Sequence, residues 1–311
     1  MSHMRIALLT LLVAAPAHAQ QNEPMTVAMY APAAAFPDSS ARLAYVQGLA
    51  RAIQQKTGVP TSGKAFVRLG DLLAAKPDFA IIDGQCIAAR QGTSGTLLAT
   101  AVIGGDLTQP WGLYSRGAPG PSDVGLANLK GKKLVYAKTG CRDSDFLDNA
   151  MLDGELRTEG YFGALIDKPD VAGAVLTVRD YKAADAVFAP SSQARGLTRV
   201  YEAGPVPNPG FVALKSHPAA FLDGVKEAVL SYGSGGGIDG WRAAAPGAYS
   251  ALGARLAGRS KRLVFAPPEV VRLDDADVLV LPASRWDQAT VKQHFWEPSP
   301  AAGSTPAATQ P

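Results

Sequence analysis

Two cysteines in 311 residues, Cys86 and Cys141, are too few for a disulfide scaffold and form no C-x-x-C pair. Histidine is as scarce: His3 and His18 lie among the first twenty residues, which leaves His217 and His294, neither at ligand spacing from a cysteine. With no G-x-S-x-G elbow and no H-E-x-x-H, neither a zinc centre nor a histidine-based triad finds support. A charge of one sign is missing too. Thirty Lys and Arg face 27 Asp and Glu, a formal +3, which is not the basic footprint that nucleic acid demands. Past the first twenty residues no stretch approaches ~18 uninterrupted apolar residues, so no stable membrane insertion is expected. The 32 glycines and 23 prolines fall mostly between periodic segments, as in a loop-rich globular protein.

What is present begins with an export signal. Arg5 supplies a positive n-region, residues 6–15 an apolar stretch, and Ala17-His18-Ala19 an A-x-A cleavage site before Gln20. Residues 1–19 are therefore expected to be removed and the mature chain to work in a periplasm, with no cysteine after the cut to carry a lipid anchor.

Residues 25–30 (MTVAMY) read as a buried strand ending at Ala31-Pro32. Asp38, Ser39 and Ser40 offer N-caps for a helix over 41–56, with Leu43, Val46, Leu49, Ala50 and Ile53 as its apolar stripe and Gly58 as its stop. Strands follow at 64–69, 78–83 and 97–103, with a short helix at 70–76. After a Gly/Pro-rich linker at 117–121 the pattern restarts: strand 133–137, helix 143–156, strand 174–178, short helix 180–184, strands 186–189 and 211–214, then helices 217–232 and 238–256. Strands alternating with helices predict mainly parallel sheets. GSGGG at 233–237 lacks the Lys-Ser/Thr of a phosphate loop and reads as a connection.

The most informative stretch is 129–155, LKGKKLVYAKTGCRDSDFLDNAMLDGE. A strand stops at Thr139-Gly140-Cys141-Arg142 and a helix starts at once, a junction that in open α/β sheets lies where ligands bind. Together with DFAIIDG at 78–84, WGLYSR at 111–116, YKAADAVFAP at 181–190 and VPNPGFVALKSHP at 206–218, it resembles the phosphate/phosphonate-type solute-binding proteins of ABC transporters, over roughly residues 26–257. The resemblance implies an α/β type II periplasmic binding protein fold: two Rossmann-like lobes joined by two crossover strands, expected near 111–115 and 209–214. Lobe I would comprise 20–112 and 210–296, and lobe II 113–209. A C-terminal β-hairpin is expected around 263–266 and 278–281, and a disordered tail over 297–311. The implied partners are a small-molecule ligand and an ABC-type permease, with no cofactor, no metal and no catalysis.

In the resembled family a Ser/Thr-rich helix start holds the oxyanion. This chain keeps Thr139 and Gly140 but places Cys141, Arg142 and Asp143 there. Asp143 and Asp145 can cap N–H groups themselves and oppose an anion, while Arg142 and Lys138 attract one. Cys86 and Cys141 both follow strands that end toward the cleft, and whether they are bridged or separate stays open, because sequence does not give a Cα distance. Tyr30, Gln85, Trp111, Tyr114, Asp185 and Asn208 complete the candidate ligand-binding set, by their expected positions at strand ends and crossovers. Three readings follow: a receptor for a phosphate- or phosphonate-like or other polar solute, a carrier of a lipid- or sterol-like molecule on the same fold, and an enzyme or sensor on that fold, for which no mechanism is visible. On the first two, intact-mass measurement of the exported protein should show loss of residues 1–19, and a retained Met1 in membrane pellets would contradict it.

Overall fold

Strand β1 (Met25–Tyr30) sets the layering by its period of two. Val27 and Met29 point to one face of the sheet, Ala28 and Tyr30 to the other. The same alternation holds in β3 (Phe79–Ile82) and β10 (Gly210–Ala213), where Phe79, Ile81 and Phe211 join the first set and Ala80, Ile82 and Val212 the second. Both faces are therefore covered. Helix α1 (Ser39–Thr57) covers the first face with Tyr45, Val46, Leu49, Ala50 and Ile53. It starts where the Asp38 side chain accepts from the Ala41 N–H at 2.8 Å and stops at Gly58, whose φ of 73° is the left-handed cap. The computed structural model describes residues 24–90, 95–117, 125–233 and 235–258. The expected signal peptide, most of the linker, the C-terminal hairpin and the tail lie outside the described residues.

Two sheets organise the described residues. The first runs β11-β4-β10-β3-β1-β2, with β2 at Thr61–Ala65, β4 at Thr96–Val102 and β11 at Gly240–Ala243. The second runs β7-β6-β8-β5-β9, with β5 at Thr108–Ser115, β6 at Lys133–Ala137, β7 at Ala164–Lys168, β8 at Ala186–Pro190 and β9 at Thr198–Pro207. Parallel pairing holds within β2-β1-β3 and β7-β6-β8. The remaining pairs are antiparallel, so the sheets are mixed where mainly parallel ones were expected. The reason is the double passage between sheets, which sends β5 and β10 back against their neighbours.

The crossovers are the short segments 103–107 and 208–209, because β5 belongs to the second sheet from Thr108 onward. The first thus precedes the expected 111–115. Asn208 splices the two: its Nδ2 donates to the carbonyls of Ala101 (3.2 Å) and Asp106 (2.8 Å), and its Oδ1 accepts from Gln109 Nε2 at 3.0 Å. The Tyr249 hydroxyl donates to the Asn208 carbonyl at 2.9 Å.

Other expectations are corrected. Residues 174–178 lie in a helix, α6 (Val171–Arg179), capped by Asp170; Val171, Ala174, Val175 and Val178 recur at i, i+3, i+4 and i+7, a helical spacing hidden by their β-branched composition. The 143–156 helix is a single turn, α4 (Asp143–Asp145), continuing as a π-helix (Phe146–Met151). No helix forms at 180–184. The 238–256 helix resolves into β11 and α8 (Pro246–Leu256), with proline in the first turn of the latter. Helix α7 (Ala219–Leu230) falls within 217–232. Helix α2 (Leu69–Ala74) stands near its expected place, whereas α3 (Gly84–Ala89) was not expected.

Close approach at α3 explains one glycine. A Cβ on Gly84 would lie 1.9 Å from the Pro207 carbonyl oxygen, where the helix abuts the second crossover. Gly84→Ala should therefore cost about 1–3 kcal/mol in urea denaturation through overpacking; unchanged stability would show that the crossover yields freely.

Candidate functional site

The carboxyl ends of β1, β3 and β6 bring three short segments together. Tyr30 ends β1, Asp83 and α3 follow β3, and the turn 138–142 follows β6. The Tyr30 hydroxyl donates to the Thr139 carbonyl at 2.9 Å. Gln85 Nε2 donates to the Cys141 carbonyl at 3.0 Å and to Asp143 Oδ1 at 3.1 Å. Cys86 and Cys141 are joined by a disulfide, with Cα atoms 5.0 Å apart and both residues buried. Closing a loop of 55 residues, such a bond contributes about 4 kcal/mol on the chain-entropy model. Both cysteines are thereby unavailable as free ligand contacts.

Asp143 occupies the donors at this turn. Its carboxylate accepts from the Thr139 N–H (3.0 Å), the Thr139 hydroxyl (2.7 Å) and the Gly140 N–H (2.8 Å), besides Gln85. Those groups belong to the turn before the helix and not to its first turn, where self-capping was expected. Gly140, at φ 72°, supplies the left-handed bend. Arg142, at φ 58°, turns its guanidinium to Asp145 Oδ2 (2.7 Å) and to the Leu256 carbonyl (3.3 Å), so its charge is already engaged.

Behind the turn lies Asp83, fully buried, accepting from the Ala33 N–H at 3.0 Å and the Gln85 N–H at 3.1 Å. Burial, helped by the neighbouring Asp143, pushes its carboxyl up to about 6 against the two N–H contacts that favour the ion. Burial likewise raises the Tyr30 phenol, helped by Asp83 and Asp143. A cavity of about 10 Å³ sits here between the sheets, bounded by Asp83, Gln85, Trp111, Tyr136, Phe146 and Phe188. That is room for about one water.

Outside the Tyr30–Thr139 contact runs a groove of about 680 Å³. Tyr30, Val67, Arg68, Leu69, Gly70 and Arg90 form its first-sheet side, and Lys138, Thr139, Gly140, Asp167, Lys168 and Pro169 the other. Four cationic side chains thus face one carboxylate. Lys138 lies 3.8 Å from Asp167 in an exposed pair, which offsets little of its charge.

Of the candidates, Tyr30, Gln85, Cys86, Thr139, Gly140 and Cys141 meet at the seam, and Trp111 borders the inner cavity. Trp111 packs against Phe188 and Phe146 at ring distances of 5.0 and 5.6 Å, in the core of the second sheet. Tyr114 is buried in that core and lines neither space. Asp185 stands at the opposite, amino-terminal end of its strand, where its carboxylate accepts from the Lys133 N–H at 2.8 Å. Asn208 serves the crossovers. Sequence reasoning missed Asp83, the N-cap of a helix it did not assign, and Arg68, Arg90 and Lys168, whose convergence depends on both sheets. Among the described residues no group of acidic, His or Cys side chains could hold a metal, and no helix is long and apolar enough to cross a membrane.

No protein-family model matches the chain, and no curated protein does. Solved structures do. A methylphosphonate complex of PhnD1 from Prochlorococcus marinus superposes with a TM-score of 0.59 at 10% identity, covering 75% of this chain and 97% of that one. A Xanthomonas citri protein bound to ATP gives 0.58 at 12% identity, with coverages of 75% and 97%. A binding-protein component of an ABC phosphonate transporter from Pseudomonas aeruginosa gives 0.55 at 12%, with coverages of 71% and 81%. At such identities the likeness establishes the fold: this chain has the type II periplasmic binding protein architecture.

Because the folded-state pKa of Asp83 lies above its unfolded value near 3.9, the native state binds the extra proton between the two. Stability from this group is therefore present below about pH 4 and lost as pH rises through about 6, by up to about 3 kcal/mol. In urea titrations across that window Asp83→Asn should flatten this component; an unchanged pH profile would count against a protonatable Asp83.

Proposed function

We propose that the protein is a solute receptor of the ABC-importer kind that captures a phosphate- or phosphonate-class anion in the basic groove along the seam. The observation that carries this reading is the convergence of Arg68 and Arg90 from one sheet and Lys138 and Lys168 from the other on a groove of about 680 Å³. That size suits a small ligand. Guanidinium and ammonium groups recognise phosphoryl oxygens by charge-assisted hydrogen bonds, the former in bidentate geometry. The fold neighbours agree in chemistry, since their names and complexes include phosphonate, methylphosphonate and ATP.

Capture involves no chemistry on the solute and no cofactor. The setting is the periplasm, with delivery to an inner-membrane ABC permease. The anion sits outside the inner turn, because Asp143 already satisfies the Thr139 and Gly140 donors there. A carrier of an apolar molecule is supported by the aromatic wall of Trp111, Phe146 and Phe188, but those rings pack on one another and leave about 10 Å³. The anionic solute is the better reading.

Isothermal titration with phosphate, methylphosphonate and ATP at two salt concentrations tests it. Arg68→Ala and Lys168→Ala should each weaken binding roughly ten- to a hundredfold, corresponding to about 1.5–3 kcal/mol per charged contact. Affinity should fall with salt. Arg142→Ala should leave binding unchanged, its guanidinium being held by Asp145 and Leu256. Salt-insensitive uptake from a lipid extract, abolished by Trp111→Ala, would establish the apolar reading instead.

A further inference from the structure

Two crossovers leave a two-lobed chain one soft motion, rotation about the line through them. A third covalent link standing off that line removes it. Cys86 belongs to α3, which follows β3, the neighbour of β10, where the second crossover enters the first sheet. Cys141 follows β6, which is two strands from β5, where the first crossover enters the second sheet. At ~4.8 Å per strand the bond stands roughly 5–10 Å from the crossovers. From this placement we infer that the Cys86–Cys141 disulfide is an interlobe lock: the oxidised protein keeps its lobes in one arrangement and binds its solute without hinge opening.

Separate contacts reinforce the same restraint. Beside the bond, Tyr30 and Gln85 of the first lobe hold the 139–143 turn of the second. Elsewhere on the seam, the Val171 N–H donates to the Pro32 carbonyl at 3.2 Å and Gln193 Nε2 to the Ala33 carbonyl at 2.6 Å. Helix α8 adds a strut. Its Tyr249 bonds Asn208 at the crossover, whereas Leu252 and Leu256 are buried in the core of the second lobe. Arg255 donates to the carbonyls of Ala150, Ala203 and Pro205 in that lobe. A helix entering from the first sheet is thus packed into the second lobe. The inner cavity, at about 10 Å³, then admits no solute, and the solute is held in the outer groove.

The inference stands apart from the identity of the ligand, and its test needs none. Bioorthogonal spin labels at the exposed positions Arg51 on α1 and Ala172 on α6 report the interlobe distance by pulsed electron resonance. The oxidised wild type should give one narrow distance, unchanged by 10-fold dilution or by about 1 mM methylphosphonate, a concentration chosen at the weak end of specific affinities. Cys86→Ser/Cys141→Ser should add a second, longer distance. A broad or two-peaked distribution in the oxidised wild type would overturn the lock, and this arm decides the matter even if the double variant fails to fold. A folded double variant with the wild-type distribution would overturn the disulfide's part in it. Loss of anion binding with a narrow distance retained would refute the ligand reading and leave the lock standing.

Discussion

The contact on which the rest depends is the grip of the first lobe on the turn between Thr139 and Asp143. The disulfide fixes Cys141 beside α3, and Gln85, one residue before Cys86, is then placed to reach both the Cys141 carbonyl and Asp143. With the turn so held, the Thr139 and Gly140 N–H groups close on Asp143, and the Thr139 carbonyl receives Tyr30. The N–H groups of Thr139, Gly140 and Cys141 and the carbonyls of Thr139 and Cys141 thus find partners within the chain, in keeping with the cost of a buried unpaired donor. Asp83 and Asp143 can lie near one another only because N–H groups surround them. The raised pKa of Asp83 shows that the compensation is incomplete.

Much of this was legible in the residues. The expected span of β1 agrees with its observed limits, and α1 was readable from its stripe and caps, because local pattern and burial coincide there. The rule that ligands gather at carboxyl ends of strands brought Tyr30, Gln85, Thr139 and Gly140 to one seam. It failed for Asp185, which precedes its strand and so stands at the other end of the sheet. The helix α6 was hidden because its short valine-rich run satisfies strand composition, and β9 because glycine and proline interrupt it, which only an edge strand tolerates. The state of the two cysteines was not readable at all: their separation is set by how two sheets meet, a tertiary quantity absent from any local pattern.

The distribution of charge across the seam follows from the same grip. Inside, the Asp83 carboxylate faces a nearly filled cavity with Asp143 close enough to act on it, so an entering anion would meet like charge in a poorly screened site. Outside, Lys138 leaves the gripped turn on the groove side, in the company of Lys168, Arg68 and Arg90. The fold therefore separates an acidic, dry interior from a basic, wet mouth only a few residues apart along the chain.

A groove drawn from two lobes is complete only while the lobes keep their relative placement. In a freely hinged receptor, part of the ligand's binding free energy is spent on assembling the two halves. Here the disulfide, the Tyr30 and Gln85 contacts and the α8 strut assemble them beforehand, so the entropy of bringing four cations together is met in folding. The exposed setting works the other way, since water and salt weaken each charge contact. In the proposed receptor, preorganisation is what would let several weak, screened contacts act as one site, and the covalent tether would supply it.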